Sequence, residues 1–315
     1  MKAKVSKVYR LFKEFGPIFA IKWLFFKITK QHNKYIDLIY NYLCKFLSDD
    51  INEFNNKEFN NKEKLKNYVW ICWWQGYEAM PDFCKMCYKQ LKSVLNNDYN
   101  LILIDKNNYK EYASIPDYII EKVNSNKIPF TQLSDILRQS LLLENGGTWI
   151  DASIWCTDKI NKYLDNKNDF WSVKLKTIDD KTVWGQLISE CKWSSFLLNG
   201  NVGCPIFDFV FTGMCKYFNN HDFLIDYFLQ NLLIKIAYDN IPIIKTMIDD
   251  VPESNECIYE LYKVMDTAYD QSKWEKLTSN TAFFKLTQKR KYVDFCNGKP
   301  TFYKYLIESA GKNNG

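Results

Sequence analysis

The strongest constraint on this chain is the break at Asn145-Gly146-Gly147, where a helical pattern stops and a strand pattern starts with almost nothing between them. Upstream, Leu133, Ile136, Leu137, Leu141 and Leu142 recur at roughly helical spacing, which predicts a helix from a cap at Thr131 to about Glu144. Glycine tolerates the left-handed backbone that closes a helix C-terminus. Thr148, Trp149 and Ile150 then read as a short buried strand that ends on Asp151. A helix and a strand joined this tightly must pack side by side.

That packing brings three charges to one crevice. Asp135 and Arg138 are three residues apart and share a face of the helix. Asp151 lies just past the end of an apolar strand, where open α/β sheets bind ligands. Plainer roles suit the same residues: Asp135 can favour the helix N-terminus and pair with Arg138 on a surface, and Asp151 can cap the next turn.

The pattern Ser134-Asp135-x-x-Arg138, an apolar helix, then Gly146-Gly147-Thr148-Trp149-Ile150-Asp151-Ala152-Ser153 resembles the donor-binding core of glycosyltransferase family 32 and its bacterial branch, the capsular polysaccharide synthesis proteins. The resemblance covers most of residues 67 to 290. It implies an α/β domain of the glycosyltransferase A type, a Rossmann-like fold that binds nucleotide-diphospho-sugars, and transfer with retention at the anomeric carbon. It also implies that Asp135 and Arg138 hold the nucleotide-sugar, a UDP-sugar, and that Asp151 coordinates Mn or Mg on the diphosphate. Trp73 matches the Trp of the family's opening W-x-G region, where the ring packs on the base. Asp151 and Arg138 are then the catalytic candidates, with Trp73 and Asp135 completing the donor site. Ser153 stands where the second acid of an Asp-x-Asp pattern is often found. A late segment often supplies a third metal ligand in related transferases, and this chain has Phe284 or Lys285 there.

From its start, the chain is basic before it is anything else. Residues 1 to 47 hold ten Lys or Arg against Glu14 and Asp37, a local charge of +8 that leaves −3 for the rest of a chain whose total is +5. Phe15 to Phe26 is rich in apolar and aromatic residues but is interrupted by Lys22 and falls short of the roughly 20 residues of a spanning helix. It also lacks a small-residue cleavage site of the signal-peptide kind. Residues 1–48 are therefore read as a basic amphipathic helical arm, which can lie on an anionic membrane surface, pack on the catalytic domain, or both. Residues 49–66, rich in Asn, Lys and Glu, read as a polar linker. The catalytic domain is placed at 67–315. At 315 residues and 47% hydrophobic, the chain can build one sizeable domain plus such an appendage.

Ten scattered cysteines form neither a disulfide framework nor a zinc pattern, and Cys84 and Cys87, three apart in a helix, suit a core. With no secretion signal, they point to a reducing cytoplasm. Only His32 and His221 are present, which disfavours His-based nucleophilic catalysis. Tyr68 to Trp73 reads as a strand, Pro81 to Leu95 as a helix and Asn100 to Ile104 as a second strand, a β-α-β opening that argues for a parallel sheet. Further on, Phe170 to Leu175 and Ser195 to Leu198 read as strands, and Pro205 to Tyr217 and Asp222 to Ala237 as helices. Asp249, Asp250 and Asn255 are polar candidates for the site rim or a solvated loop.

The expected activity is transfer of a hexose from a nucleotide-diphosphate sugar to a glycan or lipid-linked saccharide acceptor during assembly of a capsular or surface polysaccharide. No nucleic acid is expected as a partner. The competing expectation is a non-catalytic scaffold on the same fold, held at the inner face of the membrane by the basic arm.

Overall fold

The computed structural model describes residues 2–59, 67–165, 168–177, 184–310 and 312. Four helices come first: α1 (Lys2–Phe15), α2 (Pro17–Ile28), α3 (His32–Phe46) and α4 (Ser48–Asn56). The alternating part runs β1 (Tyr68–Cys72), α5 (Asp82–Val94), β2 (Asn100–Ile104), α6 (Asp117–Asn124), α7 (Phe130–Asn145) and β3 (Gly147–Ile150). Then come β4 (Ile154–Cys156), the single-turn α8 (Asn161–Leu164), β5 (Phe170–Ser172), α9 (Trp184–Ser189) and β6 (Leu197–Gly200). Helices α10 (Pro205–Asn220), α11 (Leu229–Asn240), α12 (Pro242–Asp249), α13 (Glu260–Val264) and α14 (Gln271–Thr278) precede β7 (Phe283–Lys285), the two-residue strands β8 (Phe295–Cys296) and β9 (Lys299–Pro300), and α15 (Phe302–Ser309).

The central sheet has the order β2-β1-β3-β6-β5. The β1-α5-β2 opening is parallel, as its sequence predicts, and β3 runs parallel to β1 on the other side. The sheet is nevertheless mixed, because β6 is antiparallel to both β3 and β5. Three- and four-residue strands carry an apolar signal but none for direction, so the parallel expectation holds only for the first half. Trp70 and Trp149 on the two central strands β1 and β3, and Trp171 on the edge strand β5, are each almost fully buried.

The Gly-Gly break works as the sequence requires. Gly146 and Gly147 both take positive φ, +67° and +97°, and the Gly146 amide donates to the Leu142 carbonyl at 3.0 Å. A Cβ on Gly147 would stand 2.5 Å from the Tyr68 carbonyl oxygen, so only glycine lets β3 approach β1 this closely. The other end of the helix differs from expectation. Thr131 lies inside the first turn, and α7 is capped two residues earlier, at Pro129, whose carbonyl accepts from the Gln132 amide at 2.9 Å.

The N-terminal arm packs on the α/β layers. Trp23 and Ala20 of α2, and Tyr35, Ile39 and Leu43 of α3, join the main core. The Trp23 indole donates to the Ile225 carbonyl at 3.2 Å and the Tyr35 hydroxyl to Asp226 at 2.8 Å. His221, in van der Waals stacking with Phe15, faces Tyr42 at 3.1 Å and Glu14 at 3.4 Å. The stretch read as a polar linker is helical over its first half. Phe54 of α4 is buried edge-on against Phe209, and Asn55 donates to the Asn240 carbonyl at 3.0 Å. Ile51 packs beside Phe54 on the core and Asp50 pairs with Lys216, so three residues dock a helix whose remaining face is polar. Residues 60–66 of that stretch lie outside the described residues.

Candidate active site

Three short backbone connections assemble the site. Strand β3 delivers Asp151 to the edge of the sheet where β1 also ends, and the Asp151 amide donates to the Phe196 carbonyl at 3.0 Å. A turn closed by Ile154 donating to the Asp151 carbonyl at 2.9 Å then starts β4. β4 pairs antiparallel with β7, with Ile154 opposite Lys285, and Leu286 donates to the Ser153 carbonyl at 3.1 Å. That pairing brings the late segment beside the Gly-Gly-x-x-x-Asp turn.

The side chains form one charge network. Arg138 is almost fully buried, and its guanidinium lies over the Trp149 ring, 4.8 Å from the centroid. Its Nη1 donates to the Gln230 Oε1 at 3.0 Å and to the Ser195 carbonyl, and its Nη2 to the Asp151 Oδ1 at 3.0 Å. The Asp135 Oδ1 lies 3.3 Å from the same Nη2. Asp151 Oδ1 also accepts from the Trp149 indole at 2.9 Å, while Oδ2 accepts from the Lys285 Nζ at 2.9 Å. Lys285 donates as well to the Ser153 Oγ at 3.1 Å. Asp135 is steadied from below by the buried Gln132, which donates to its Oδ2 at 3.2 Å and to the Tyr227 carbonyl at 3.0 Å.

These contacts drive the two carboxyls apart. Burial opposes the charge on Asp151, but Lys285 and Arg138, with the Trp149 indole, outweigh it and hold the carboxyl below the usual range. Asp135 is pushed up to about 7 by burial, which the pull of Arg138 does not cancel and to which the charge of Asp151 adds. Asp151 is thus the fixed anion of the site, and Asp135 titrates near neutrality.

Three adjoining clefts meet at Asp151 and Tyr227. The first, about 300 Å³, runs past Trp73, Trp74, Gln75, Ser134 and Asp135. A second, about 600 Å³, opens beside Lys285 and Tyr259 towards Glu256, Lys263 and Lys289. The third, about 380 Å³, is lined by Trp193, Ser195, Gln230 and Asn231. In it the amide Nε2 of Gln230 has no partner among the described residues.

The structure brings Trp73, Asp135, Arg138 and Asp151 to one cleft. Asp249 and Asn255 stand elsewhere: Asp249 pairs with Lys245 on an exposed surface, and Asn255 is buried with its Oδ1 accepting from the Ala282 amide at 2.7 Å. Tyr227, Gln230 and Ser195 were not legible as site residues. The helix predicted from Asp222 begins only at Leu229, because Asp226 Oδ1 accepts from the Phe228 amide at 2.8 Å and the Tyr217 hydroxyl accepts from the Ile225 amide at 3.1 Å. The irregular segment this leaves carries Tyr227 into the clefts.

The arrangement does not fit the divalent metal that the resemblance implies. Both oxygens of Asp151 already accept from N–H donors, and the neighbouring carboxylate, Asp135, shares Arg138 with it. Among the described residues no group of three or more His, Cys, Asp and Glu could hold a metal ion. Mg at a phosphate site needs only one or two carboxylates, but here Asp151 carries a cation on each oxygen and Ser153 offers a neutral hydroxyl already bonded to Lys285.

The fold is that of an open α/β sheet of mixed strand direction, with a charged, tryptophan-lined cleft at the carboxyl ends of neighbouring parallel strands, where sheets of this class carry their ligand sites. Within that class, the chain belongs to the capsular polysaccharide synthesis protein family, whose model matches residues 20–306. No curated protein matches it. Among solved structures it is similar to the "PaToxG Glycosyltransferase", with 13% identity and a TM-score of 0.38 over 77% of this chain and 94% of that one.

Proposed function

We propose that the protein is a glycosyltransferase of the A type that moves a hexose from a nucleoside-diphosphate sugar, a UDP-sugar in the reading the motif resemblance favours, to a saccharide acceptor of capsule assembly. The observation that carries this is the convergence of Trp73, Asp135, Arg138 and Asp151 on one cleft within a family tied to capsule synthesis. In this reading the half-buried Trp73 offers a ring for the base, since stacking tolerates any base and is worth about 1–3 kcal/mol. Asp135 accepts from a sugar hydroxyl. Arg138, whose two terminal nitrogens are already engaged by four acceptors, positions Asp151 and the walls of the third cleft rather than reaching the ligand.

The chemistry asks for little covalent help. The bond between the anomeric carbon and the β-phosphate oxygen breaks with its electron pair going to that oxygen. The acceptor hydroxyl oxygen bonds the anomeric carbon, with retention, and its proton leaves with the diphosphate. A cleft edged by fixed cations favours the developing charge because their orientation costs nothing at the moment of reaction. The third cleft suits the hexose: Gln230, Asn231 and Ser195 offer amide and hydroxyl groups beside the Trp193 ring. The wider second cleft suits the acceptor.

No helix of the described residues is long and apolar enough to cross a membrane. We place the enzyme on the inner face of the membrane through α2, where a lipid-linked acceptor would meet it. Ile18, Ile21, Phe25 and Ile28 are all more than half exposed, on the face of α2 away from the buried Ala20 and Trp23.

The test is release of nucleoside diphosphate from a panel of UDP-, GDP- and dTDP-hexoses by wild type and Asp151→Asn. Turnover of one donor is expected, lowered about a hundred-fold by the substitution, because Asp151 holds the Lys285 ammonium and the Arg138 guanidinium in place and misplacing such groups costs on that order. Binding and turnover of none, or an unchanged variant, would overturn the reading.

A further inference from the structure

We propose that the ammonium of Lys285, rather than a divalent cation on Asp151, supplies the positive charge that the donor diphosphate meets in this cleft. The inference rests on the glycosyl-transfer reading and names the group that does the work a metal does elsewhere.

Lys285 is placed by backbone on both sides. It sits at the end of β7 opposite Ile154, its own amide donates to the Ile258 carbonyl at 2.8 Å, and the next amide donates to the Ser153 carbonyl at 3.1 Å. Its side chain is about one quarter exposed and is steered by three contacts. These are Asp151 Oδ2 at 2.9 Å, Ser153 Oγ at 3.1 Å and the face of the Phe196 ring, 4.9 Å from the centroid. An ammonium has three donors, and Asp151 and Ser153 take two of them. The charge lines the second and third clefts and reaches the carboxylate that also borders the first.

Charge balance favours the same conclusion. Asp151 holds two cations, Arg138 on one oxygen and Lys285 on the other. A divalent ion binding there would have to displace Lys285 and would still face Arg138. A diphosphate needs no such displacement, because an ammonium is a compact point charge that serves phosphate oxygens well. Asp135, raised towards neutrality by its burial, does not restore the negative charge an ion would need. During transfer, the electron pair of the broken bond arrives on the β-phosphate oxygen, the acceptor oxygen completes the new bond to the anomeric carbon, and nothing is oxidised or reduced. A preset ammonium stabilises that oxygen as its charge grows.

Calorimetric titration of the full chain with UDP, GDP and dTDP, each in EDTA and in MnCl2, tests this with wild type, Lys285→Met and Lys285→Arg. Wild type should bind one of the three equally well, within about two-fold, with EDTA or Mn. Lys285→Met should weaken that binding on the order of ten-fold or more in EDTA, the scale of a charge-assisted hydrogen bond, with Lys285→Arg in between. Mn-dependent binding by wild type, or unweakened binding by Lys285→Met, overturns the proposal, and the wild-type arm decides even where Lys285→Met fails to fold. Binding of none of the three nucleotides by wild type instead removes the glycosyl-transfer reading on which the proposal stands.

Discussion

Asp135 and Asp151 meet on one nitrogen of Arg138: the Nη2 lies 3.3 Å from the first carboxylate and 3.0 Å from the second. One comes from the middle of a helix and the other from a strand end, so a buried guanidinium is what fixes the distance between α7 and the end of β3.

Arg138 therefore holds the fold together before it serves any ligand. Arg138→Ala leaves Asp151 with Lys285 as its one cation, beside the Trp149 indole, and strips Gln230 and the Ser195 carbonyl of a donor. Breaking a buried pair from one side costs about 3–5 kcal/mol. At a few degrees per kcal/mol for a chain of this size, thermal unfolding should shift down by on the order of 10 °C. Arg138→Lys should recover little, since an ammonium cannot reach four acceptors arranged around a planar fork. Calorimetry that gives Arg138→Ala a wild-type melting temperature would reduce the residue to a surface partner of Asp135.

The pH dependence of stability follows from Asp135. Its folded pKa of about 7 lies above the value of a free carboxyl, so the folded state binds more protons between the two. The stabilisation this gives is complete below the unfolded pKa and is lost as pH rises through about 7. Asp135→Asn, which cannot ionise, should remove that part of the slope, and its melting temperature relative to wild type should be several °C higher at pH 8 than at pH 5. The comparison is made by thermal melts across that range. Parallel pH profiles for the two proteins would show that Asp135 is already ionised at the lower pH.

How much of this was legible from residues alone divides along the range of the interactions. The Gly146-Gly147 break, α7 and β3 were readable because their causes are local: glycine's freedom at positive φ and apolar spacing within a few residues. Asp135, Arg138 and Asp151 lie in the same stretch and their spacing allowed a shared crevice, whereas Trp73 was assigned through the family resemblance and not from its own surroundings. Lys285 could be seen only as the occupant of a late segment, because nothing in Phe283-Phe284-Lys285 announces its role. The β4–β7 pairing, across a long sequence separation, creates the contact with Asp151. The stretch around Phe54 misled for the opposite reason, since its polar majority describes the exposed face of α4 and only Ile51, Phe54 and the paired Asp50 describe the docked face.

The last prediction concerns the arm, and the packing changes how it must be tested. Deleting residues 1–47 would take Trp23, Tyr35, Ile39 and Leu43 out of the core, so a truncated protein that pelleted would report unfolding rather than membrane binding. The informative variant is full length, with Ile18, Ile21, Phe25 and Ile28 all changed to Ser. These side chains are 53–75% exposed and none belongs to the buried core, while Lys22 and Lys30 nearby keep their charge. Each basic residue near an anionic leaflet contributes about 1 kcal/mol, and shallow insertion of the apolar stripe adds to it. Wild type should co-sediment with phosphatidylglycerol-rich vesicles at low salt and less at high salt. The four-fold Ser variant should partition at least about ten-fold less while melting at the wild-type temperature, because inserted apolar area is the term removed. Equal co-sedimentation of the variant, or none by wild type, would leave α2 as a packing helix only.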